Sequence, residues 1–303
     1  MSVQYVRAEE RHNNWRVTLV KNRMASVVSV LPQTGNAKRN LEEPEGSGVA
    51  IGNYILTADH VLGDTNRVLV RASNGQVSEA TIYLRDKMTD LALLKPAVIS
   101  SAMSLNELTN NVETGGDVCV IGNAFGLGPA LTCGIVSAMG QRGIGFNYIE
   151  DFIQTDAAVN PGMSGAPLFN DQAELVGLVT AIYTKKSDGN LGVNFAASAN
   201  LIKVFLEDAI DGKIDRQKPG VIMQNAPLPG ETGPAGGLVK AVASNSPEDR
   251  SGVMVKDLVL SANDIPIKGQ ADYLAALALS GVSGQMRLEI LRDGQAQIIE
   301  YSF

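Results

Sequence analysis

Histidine, cysteine and tryptophan are scarce in this chain of 303 residues, and so are long apolar runs. The chain has two histidines, two cysteines and one tryptophan. With so few nitrogen and sulfur ligands a zinc site is not expected, and no metal or organic cofactor is implied. No apolar run approaches the roughly 20 residues of a membrane helix, and the start of the chain has no apolar signal core. The sequence therefore predicts either an intracellular protein or one whose targeting segment has been removed.

Basic residues are also in deficit. The chain has 25 Lys and Arg against 32 Asp and Glu, a net charge of −7 and a pI near 5.0. This balance argues against a basic face for nucleic acid or anionic lipid. A hydrophobic fraction of 45% with 31 glycines is typical of a turn-rich globular protein, and the glycines favour β architecture. The length predicts two domains, because single cores tend to divide above roughly 250 residues.

The two cysteines, Cys119 and Cys133, lie 14 positions apart in strand-like runs. They could face each other across a hairpin and form a disulfide in an oxidising compartment. The alternative, which base rates favour, is a pair of buried free thiols.

Ser164 stands in the stretch Phe152 to Phe169 and is the candidate nucleophile. Gly162 and Gly165 flank it and Pro161 precedes them, so the backbone can turn sharply and expose the hydroxyl. The N–H groups of Gly162 and Ser164 could then converge on one oxyanion. The alternative is an ordinary serine on a glycine-rich surface turn.

A reactive serine needs a base and a carboxylate that orients the base. His60 ends an apolar run that predicts a buried strand after a Gly-Ser-Gly turn at 46–48, whereas His12 lies in a polar stretch. Asp90 stands directly before another apolar run and is the preferred carboxylate. Asp86 is the competing assignment, while Asp59 would point to the opposite face of a strand from His60.

Six sequence blocks resemble the HtrA family of trypsin-like serine proteases, both in their residues and in their order along the chain. Asp90 follows His60 by 30 positions and Ser164 follows Asp90 by 74, close to the spacing of that family. The resemblance implies a catalytic triad of His60, Asp90 and Ser164. The blocks are Thr-Ala-x-His-Val at 57–61, Thr-Asp-Leu-Ala-Leu-Leu-Lys at 89–95, Gly-Asn-Ala-Phe-Gly-Leu-Gly at 122–128, Thr-Cys-Gly-Ile-Val-Ser-Ala at 132–138, the stretch 154–165 around the serine, and Gly-Val-Asn-Phe-Ala-Ala-Ser at 192–198.

Two residues depart from the family pattern. Met163 stands where the family usually has Asn, and Ala166 where it has Gly. Met163 cannot make the side-chain hydrogen bonds of an amide, so the oxyanion turn formed by Gly162, Met163 and Ser164 would be held less firmly. The methyl group of Ala166 is tolerated only if its φ is negative.

The predicted architecture is mainly β. Two series of short strands between Ala25 and Ala197 indicate the chymotrypsin-like double antiparallel β-barrel of the resemblance, with a closing helix in 200–214. The chain restarts at Pro219 with strands and one clear helix, which resembles a PDZ domain. The predicted organisation is an arm at 1–24, a protease domain at 25–212, a linker at 213–218 and a PDZ domain (α+β) at 219–303. Tyr5 and Trp15 make the arm either a docking segment or a frayed terminus whose Trp15 packs on its own domain.

The resemblance also implies two binding surfaces. The first is an uncharged specificity pocket that favours small or medium aliphatic side chains; the alternative is that its residues are part of the barrel core. The second is a PDZ groove that adds a peptide as a strand and holds its C-terminal carboxylate through the loop at 218–221; the alternative is that its apolar residues fill the domain core. The pocket residues are Val159, Thr180, Ala181 and Ile182, and the groove residues are Gly220, Val221, Ile222, Met223, Tyr273, Leu274 and Leu277.

By this resemblance the chain is expected to be a serine endopeptidase of protein quality control. Its partners would be unfolded proteins, C-terminal peptides and copies of itself in a trimer or a multiple of one, in the periplasm or another extracytoplasmic compartment. The rival hypothesis is a weakened or inactive relative that works as a peptide-binding chaperone or scaffold.

Overall fold

The computed structural model describes residues 14–33, 45–65, 67–182, 192–227, 234–281 and 284–303. The chain divides into two compact units. The first unit comprises Met1–Tyr83, Ala92–Met139 and Gln154–Ala199, and the second comprises Leu84–Leu91, Gly140–Ile153 and Asn200–Phe303. The second unit therefore includes two segments, 84–91 and 140–153, that lie inside the predicted range of the protease domain.

Six strands form a closed barrel in the order β1-β2-β3-β6-β5-β4. Val, Ile, Leu and Ala occur in these strands either at alternate positions or in continuous runs, which suits a pleated surface with a buried inner face. Their side chains build a core that includes Val30, Ile55 and Leu94. The strands are β1 Val27–Pro32, β2 Gly46–Ile51, β3 Tyr54–Ala58, β4 Val68–Ala72, β5 Val77–Asp86 and β6 Leu91–Pro96.

A second closed barrel has the order β10-β11-β12-β9-β8-β7. Two such barrels are typical of the chymotrypsin-like fold, so the mainly β, double-barrel part of the predicted fold class is confirmed. The strands are β7 Asp117–Gly122, β8 Ala130–Gln141, β9 Phe152–Thr155, β10 Pro167–Asn170, β11 Leu175–Ile182 and β12 Asn194–Ser198.

The C-terminal part of the second unit is a mixed sheet and helix structure. Its sheet has the order β13-β14-β15-β17-β18, and β16 pairs with β15. The strands are β13 Val221–Pro227, β14 Pro234–Val242, β15 Leu258–Ala262, β16 Ile265–Pro266, β17 Gln285–Arg292 and β18 Gln295–Ser302.

Within the described ranges, the α-helices that accompany these strands are α1 Trp15–Arg23, α2 Asp59–Leu62, α3 Ala199–Asp208, α4 Pro247–Arg250 and α5 Gln270–Leu279. Short 3-10 turns lie at Met24–Ser26, Leu105–Glu107 and Ala124–Gly126. No helix among the described residues is both long and apolar enough to cross a membrane.

Helix α1 lies within the predicted N-terminal arm. The side chain of Asn14 accepts a hydrogen bond from the N–H of Arg16 and so caps its first turn. Leu19 is fully buried, and the guanidinium of Arg16 lies 4.7 Å from the ring centre of Trp15. Trp15–Arg23 is thus a packed helix, while Tyr5 lies outside the described residues.

The Gly-Ser-Gly sequence at 46–48 is not the predicted turn, because it begins strand β2. A Cβ on Gly46 would lie 2.2 Å from a methyl group of Val61, and one on Gly48 would lie 2.8 Å from Ile55 Cγ2. These glycines therefore allow close packing in a strand rather than a change of chain direction.

Cys119 and Cys133 are directly opposite each other in β7 and β8 and form a disulfide. The free-thiol alternative is therefore wrong. Since the bond links adjacent strands of one barrel, it fixes their register.

Removal of this disulfide should destabilise the first unit. A bond that closes a loop of about 15 residues contributes roughly 3 kcal/mol by restricting the unfolded chain. We expect the double variant Cys119→Ala/Cys133→Ala to lose about 2 to 4 kcal/mol in urea unfolding followed by Trp15 fluorescence. As a control, added reductant should destabilise the parent and leave the double variant unchanged. Equal stability of the oxidised parent and the variant would contradict this role.

Candidate active site

Ser164 lies half-buried in a tight turn between β9 and β10. Gly162 and Gly165 on either side have φ values of +94° and +83°. A Cβ on Gly162 would lie 2.3 Å from Asn123 O, and one on Gly165 would lie 2.2 Å from Ser47 O. Both positions therefore require glycine for conformation and for space.

Ser47 of β2 holds this turn through its backbone and its side chain. Its N–H donates to the carbonyl of Ser164 at 2.8 Å, and its hydroxyl donates to the carbonyl of Gly162 at 2.7 Å. The same hydroxyl accepts from the N–H of Asn123 at 2.9 Å. Ser47 is fully buried, so these bonds fix the turn with little competition from water.

Ser47 also connects the serine turn to the segment that carries His60. Its carbonyl accepts from the hydroxyl of Thr57 at 2.7 Å, and Thr57 lies in β3, three residues before His60. The apolar run before His60 predicts a strand that ends at this residue; instead β3 ends at Ala58, and His60 is exposed in α2. Asp59 shares this helix and is buried, so strand alternation does not describe its direction.

The peptide groups around Ser164 leave two N–H donors available. The carbonyl of Pro161 accepts from the N–H of Phe125 at 2.8 Å, so the N–H of Gly162 in the same planar peptide points away from that bond. The N–H of Met163 donates to Asn160 O at 3.0 Å. Within the described part of the chain, no hydrogen bond uses the N–H of Gly162 or Ser164. These two groups could bind an oxyanion, whereas the N–H of Met163 is part of the turn.

Met163 and Ala166, the two departures from the family pattern, are both fully buried. A Cβ on Gly122 would lie 2.8 Å from Ala166 Cβ and 3.3 Å from Met163 Cε, so Gly122 leaves the space that both side chains occupy. Ala166 is not among the described residues with positive φ, which meets the condition set by its methyl group. The turn is thus packed by apolar contacts at these positions.

A polar cluster supports the other side of the turn. Glu45 accepts hydrogen bonds from Arg71 and, at 2.7 Å, from Asn123 Nδ2. The oxygen of the Asn123 side chain accepts from the N–H of Gly128 at 2.7 Å and so closes the loop that contains Phe125. Glu45 directly precedes β2, and residues 34–44 lie outside the described residues.

The described part of the predicted specificity pocket is buried. Val159 and Thr180 are 1% and 4% exposed, and Thr180 Oγ1 has no hydrogen-bond partner among the described residues. The pairing of β11 with β12 shifts between Val179 and Ala181, which makes Thr180 the extra residue of a β-bulge. Ala181 and Ile182 lie in β11, and their side chains are outside the described set.

Asp90, the predicted triad carboxylate, lies in the second unit. It is 8% exposed and has a φ of +60° at the end of the turn that joins β5 to β6. This turn is bonded to the 140–153 segment: the N–H of Ile149 donates to Met88 O at 2.9 Å, and the amide of Asn147 donates to Thr89 O at 3.2 Å.

Asp86, the competing assignment, is bonded to a linker residue. Arg216 donates to Asp86 Oδ2 from Nε at 3.1 Å and from Nη2 at 2.8 Å, and it also pairs with Asp208 at the end of α3. The three side chains are 5%, 2% and 1% exposed. Burial, opposed by the adjacent Arg216, raises the pKa of Asp208 above its ordinary value. Asp86 therefore serves as a buried partner of Arg216.

The predicted peptide groove is mostly core. Val221, Met223, Tyr273 and Leu277 belong to the apolar cluster of the second unit, and Leu274 is 7% exposed. By contrast, Ile222 is 63% exposed on β13. The N–H of Gly220 donates to the buried carboxylate of Glu248 at 2.9 Å.

Known proteins that are similar to this chain are serine proteases. The trypsin-like peptidase domain family matches residues 46–178. A probable periplasmic serine endoprotease, DegP-like, from Pseudomonas putida (strain GB-1) is 36% identical over 286 residues, which cover 90% of this chain and 59% of the relative. A probable serine protease do-like from Buchnera aphidicola subsp. Acyrthosiphon pisum is 32% identical over 267 residues, covering 84% and 55%. The chain thus spans less than two thirds of the length of these relatives.

Solved structures that are similar to this chain include HtrA-type proteases. The HtrA-type protease AlgW with a tripeptide superposes with a TM-score of 0.75 at 30% identity, covering 94% of this chain and 95% of that one. The same protease with a decapeptide gives a TM-score of 0.71 at 28% identity, covering 94% and 97%.

The packing at Gly122 predicts a compensating pair of substitutions. Gly122→Ala should cost about 1 to 3 kcal/mol of stability, because the added methyl overpacks Ala166 and Met163. Adding Ala166→Gly should recover most of that loss, and urea unfolding followed by Trp15 fluorescence would measure both. Additive losses in the double variant would show that the two positions do not share this space.

The buried ion pairs of Arg216 predict a local loss of stability. Arg216→Gln leaves Asp86 and Asp208 buried without a cation, which should cost about 3 to 5 kcal/mol. Because Trp15 lies in the first unit, the readout is amide hydrogen exchange at Met88 and Ile149, which should speed up. The control is Lys218→Gln, which changes the same charge at an exposed linker position. Unchanged exchange in Arg216→Gln would contradict this role.

Proposed function

Because the chain belongs to the HtrA family of trypsin-like serine proteases, we propose that it is a serine endopeptidase that cleaves unfolded or misfolded proteins. The observation that carries this proposal is the turn at Ser164, where Ser47 holds two carbonyls and two N–H groups remain available. Such a turn presents a hydroxyl beside donors that can stabilise a developing oxyanion.

In the proposed reaction Ser164 Oγ attacks the carbonyl carbon of the scissile peptide. His60 accepts the serine proton and later donates it to the leaving amine, and Asp90 orients the imidazole and stabilises its cation. The N–H groups of Gly162 and Ser164 hold the carbonyl oxygen as it becomes negative. Water then attacks the acyl-enzyme with His60 again as base, which releases the acid product and restores the serine.

The proposed specificity is for small or medium aliphatic side chains. Val159 is buried and apolar, and none of the four predicted pocket residues carries a charge to pair with Lys or Arg. The hydroxyl of Thr180, which lacks a partner within the described ranges, would be the polar group nearest to a bound side chain.

Peptide binding by the second unit is a further part of the proposal. In a PDZ-like domain an extended polypeptide adds to the open edge of β13 through backbone hydrogen bonds. The solved relatives named above carry a decapeptide and a tripeptide. The predicted capture of a C-terminal carboxylate has less support here, because Pro219 has no N–H and that of Gly220 is bonded to Glu248.

We also propose an extracytoplasmic location and assembly as a homotrimer or a multiple of one. The curated relatives from Pseudomonas are named periplasmic. The Cys119–Cys133 disulfide suits an oxidising compartment. Assembly rests on family resemblance alone.

The rival hypothesis, a peptide-binding scaffold without turnover, depends on Met163. Because Met163 is buried against Gly122 and its N–H closes the turn, its side chain substitutes packing for the hydrogen bonds of an amide. This favours the active enzyme.

Ser164→Ala should abolish cleavage of a denatured, fluorescently quenched protein that the parent chain degrades. The loss should reach at least about 10⁴-fold, because the covalent route requires the hydroxyl. A fluorophosphonate should label the parent and leave Ser164→Ala unlabelled. The matched control is Ser198→Ala, which removes the hydroxyl of a buried serine at the end of β12 and should still be labelled. Absence of cleavage and labelling in the folded parent would favour the scaffold.

A further inference from the structure

Strand β13 is an edge strand of the second unit. It pairs with β14 on one side and has no strand on the other in the described sheet. Helix α5 begins beside it at Gln270. An open edge normally offers N–H and C=O groups to an added strand.

The side chain of Gln270 covers these groups. Its Oε1 accepts from the N–H of Met223 at 2.7 Å, and its Nε2 donates to the carbonyl of Val221 at 3.4 Å. One side-chain amide thus bonds to a donor and an acceptor of the strand, as the peptide group of a neighbouring strand would. An incoming polypeptide can displace this flexible side chain and replace its two hydrogen bonds with two of its own.

The loop before β13 is poorly equipped to hold a carboxylate. Pro219 has no N–H, and the N–H of Gly220 is already donated to Glu248 Oε1. A Cβ on Gly220 would lie 2.2 Å from Glu248 Oε2, so this acid lies directly against the loop. A carboxylate arriving here would meet another carboxyl group, and neither Pro219 nor Gly220 would supply a donor to it.

Glu248 is held in place by a buried network. It is fully buried, and Tyr273 donates to Oε1 at 2.7 Å while its oxygen lies 2.6 Å from the hydroxyl of Tyr301. Burial raises the pKa of Tyr273 and of Tyr301 well above the ordinary range, so both hydroxyls stay protonated. Glu248 Oε2 has no partner among the described residues. The acid is therefore a fixed part of this loop.

We propose that the β13 edge binds extended internal segments of a polypeptide and does not select a C-terminal carboxylate. The bound segment replaces the Gln270 amide on Val221 and Met223 and continues past Gly220. This deepens the proposed peptide binding of the second unit and does not depend on cleavage. The new C-termini that proteolysis creates would then have no advantage at this edge over uncut chains.

The test uses the full chain with Ser164→Ala, so that no probe is cut. The probes are overlapping 12-residue segments of reduced, carboxymethylated α-lactalbumin, each made with a free C-terminal carboxylate and with a C-terminal amide. We expect the amide form of each binding segment to bind at least as tightly as the acid form in fluorescence anisotropy. Acid forms that bind about tenfold tighter, as charge-assisted bonds to the terminus would give, overturn the proposal. So does the failure of every segment to bind.

Two substitutions locate the binding edge. Gln270→Ala should raise the affinity for amidated segments about two- to tenfold, the net value of its 2.7 Å bond to Met223, the shorter of the two bonds that no longer have to be displaced. Its control is Gln297→Ala, at an exposed position on β18 at the other end of the sheet. An equal effect of both substitutions, or no effect of Gln270→Ala, overturns the proposal.

Glu248→Gln keeps the shape of the side chain and removes its acid. It should raise the affinity for acid forms relative to amide forms, and thermal unfolding would verify that the variant folds. An unchanged ratio in the folded variant contradicts the assigned role of Glu248. If the parent cleaves denatured protein while no segment binds, the protease proposal stands and the proposed binding at β13 is wrong. If segments bind at β13 and the parent does not cleave, the proposed binding stands and the protease proposal is wrong.

Discussion

The hydrogen bonds of Ser47 are the constraint on which the proposed active site depends. This one residue bonds to the serine turn at Gly162 and Ser164, to Asn123 and to the strand that leads to His60. Its neighbours Gly46 and Gly48 have no side chains to keep Val61 and Ile55 at a distance. Without the hydroxyl, a buried carbonyl and a buried N–H would each lose a partner, at a cost of about 1 to 3 kcal/mol apiece.

The parts of the molecule that the sequence predicted well are those encoded locally. Apolar runs separated by Gly, Asn and Asp indicated both series of barrel strands, and the motif blocks identified the family. Apart from the hairpin alternative for the cysteines and the triad implied by the resemblance, pairing between distant positions is not predicted by the sequence. Nothing near Gly122 in the sequence indicates that it makes room for Ala166, and nothing near Arg216 indicates that it binds Asp86. Periodicity also cannot distinguish a groove from a core, so the sequence leaves both possibilities open for Tyr273 and Leu277, which lie in the interior.

Three buried acids in the second unit accept hydrogen bonds, and the donors differ from one acid to the next. Asp86 is paired with a guanidinium, Glu248 accepts from a tyrosine and a backbone amide, and Glu150 accepts from the successive N–H groups of residues 144–147. A buried carboxylate without such donors would be very costly. These contacts organise two loops that carry little regular structure, the turn at 86–90 and the segment at 140–153.

The place of Asp90 in the second unit has a consequence for the order of events during synthesis. The turn that carries it is tied, through Asp86, to Arg216, and the ribosome makes Arg216 more than 120 residues after Asp90. A nascent chain that already contains His60 and Ser164 would still lack the arginine that secures this turn. The turn that carries Asp90 can therefore take its bonded form only after Arg216 has been synthesised and has folded back onto Asp86.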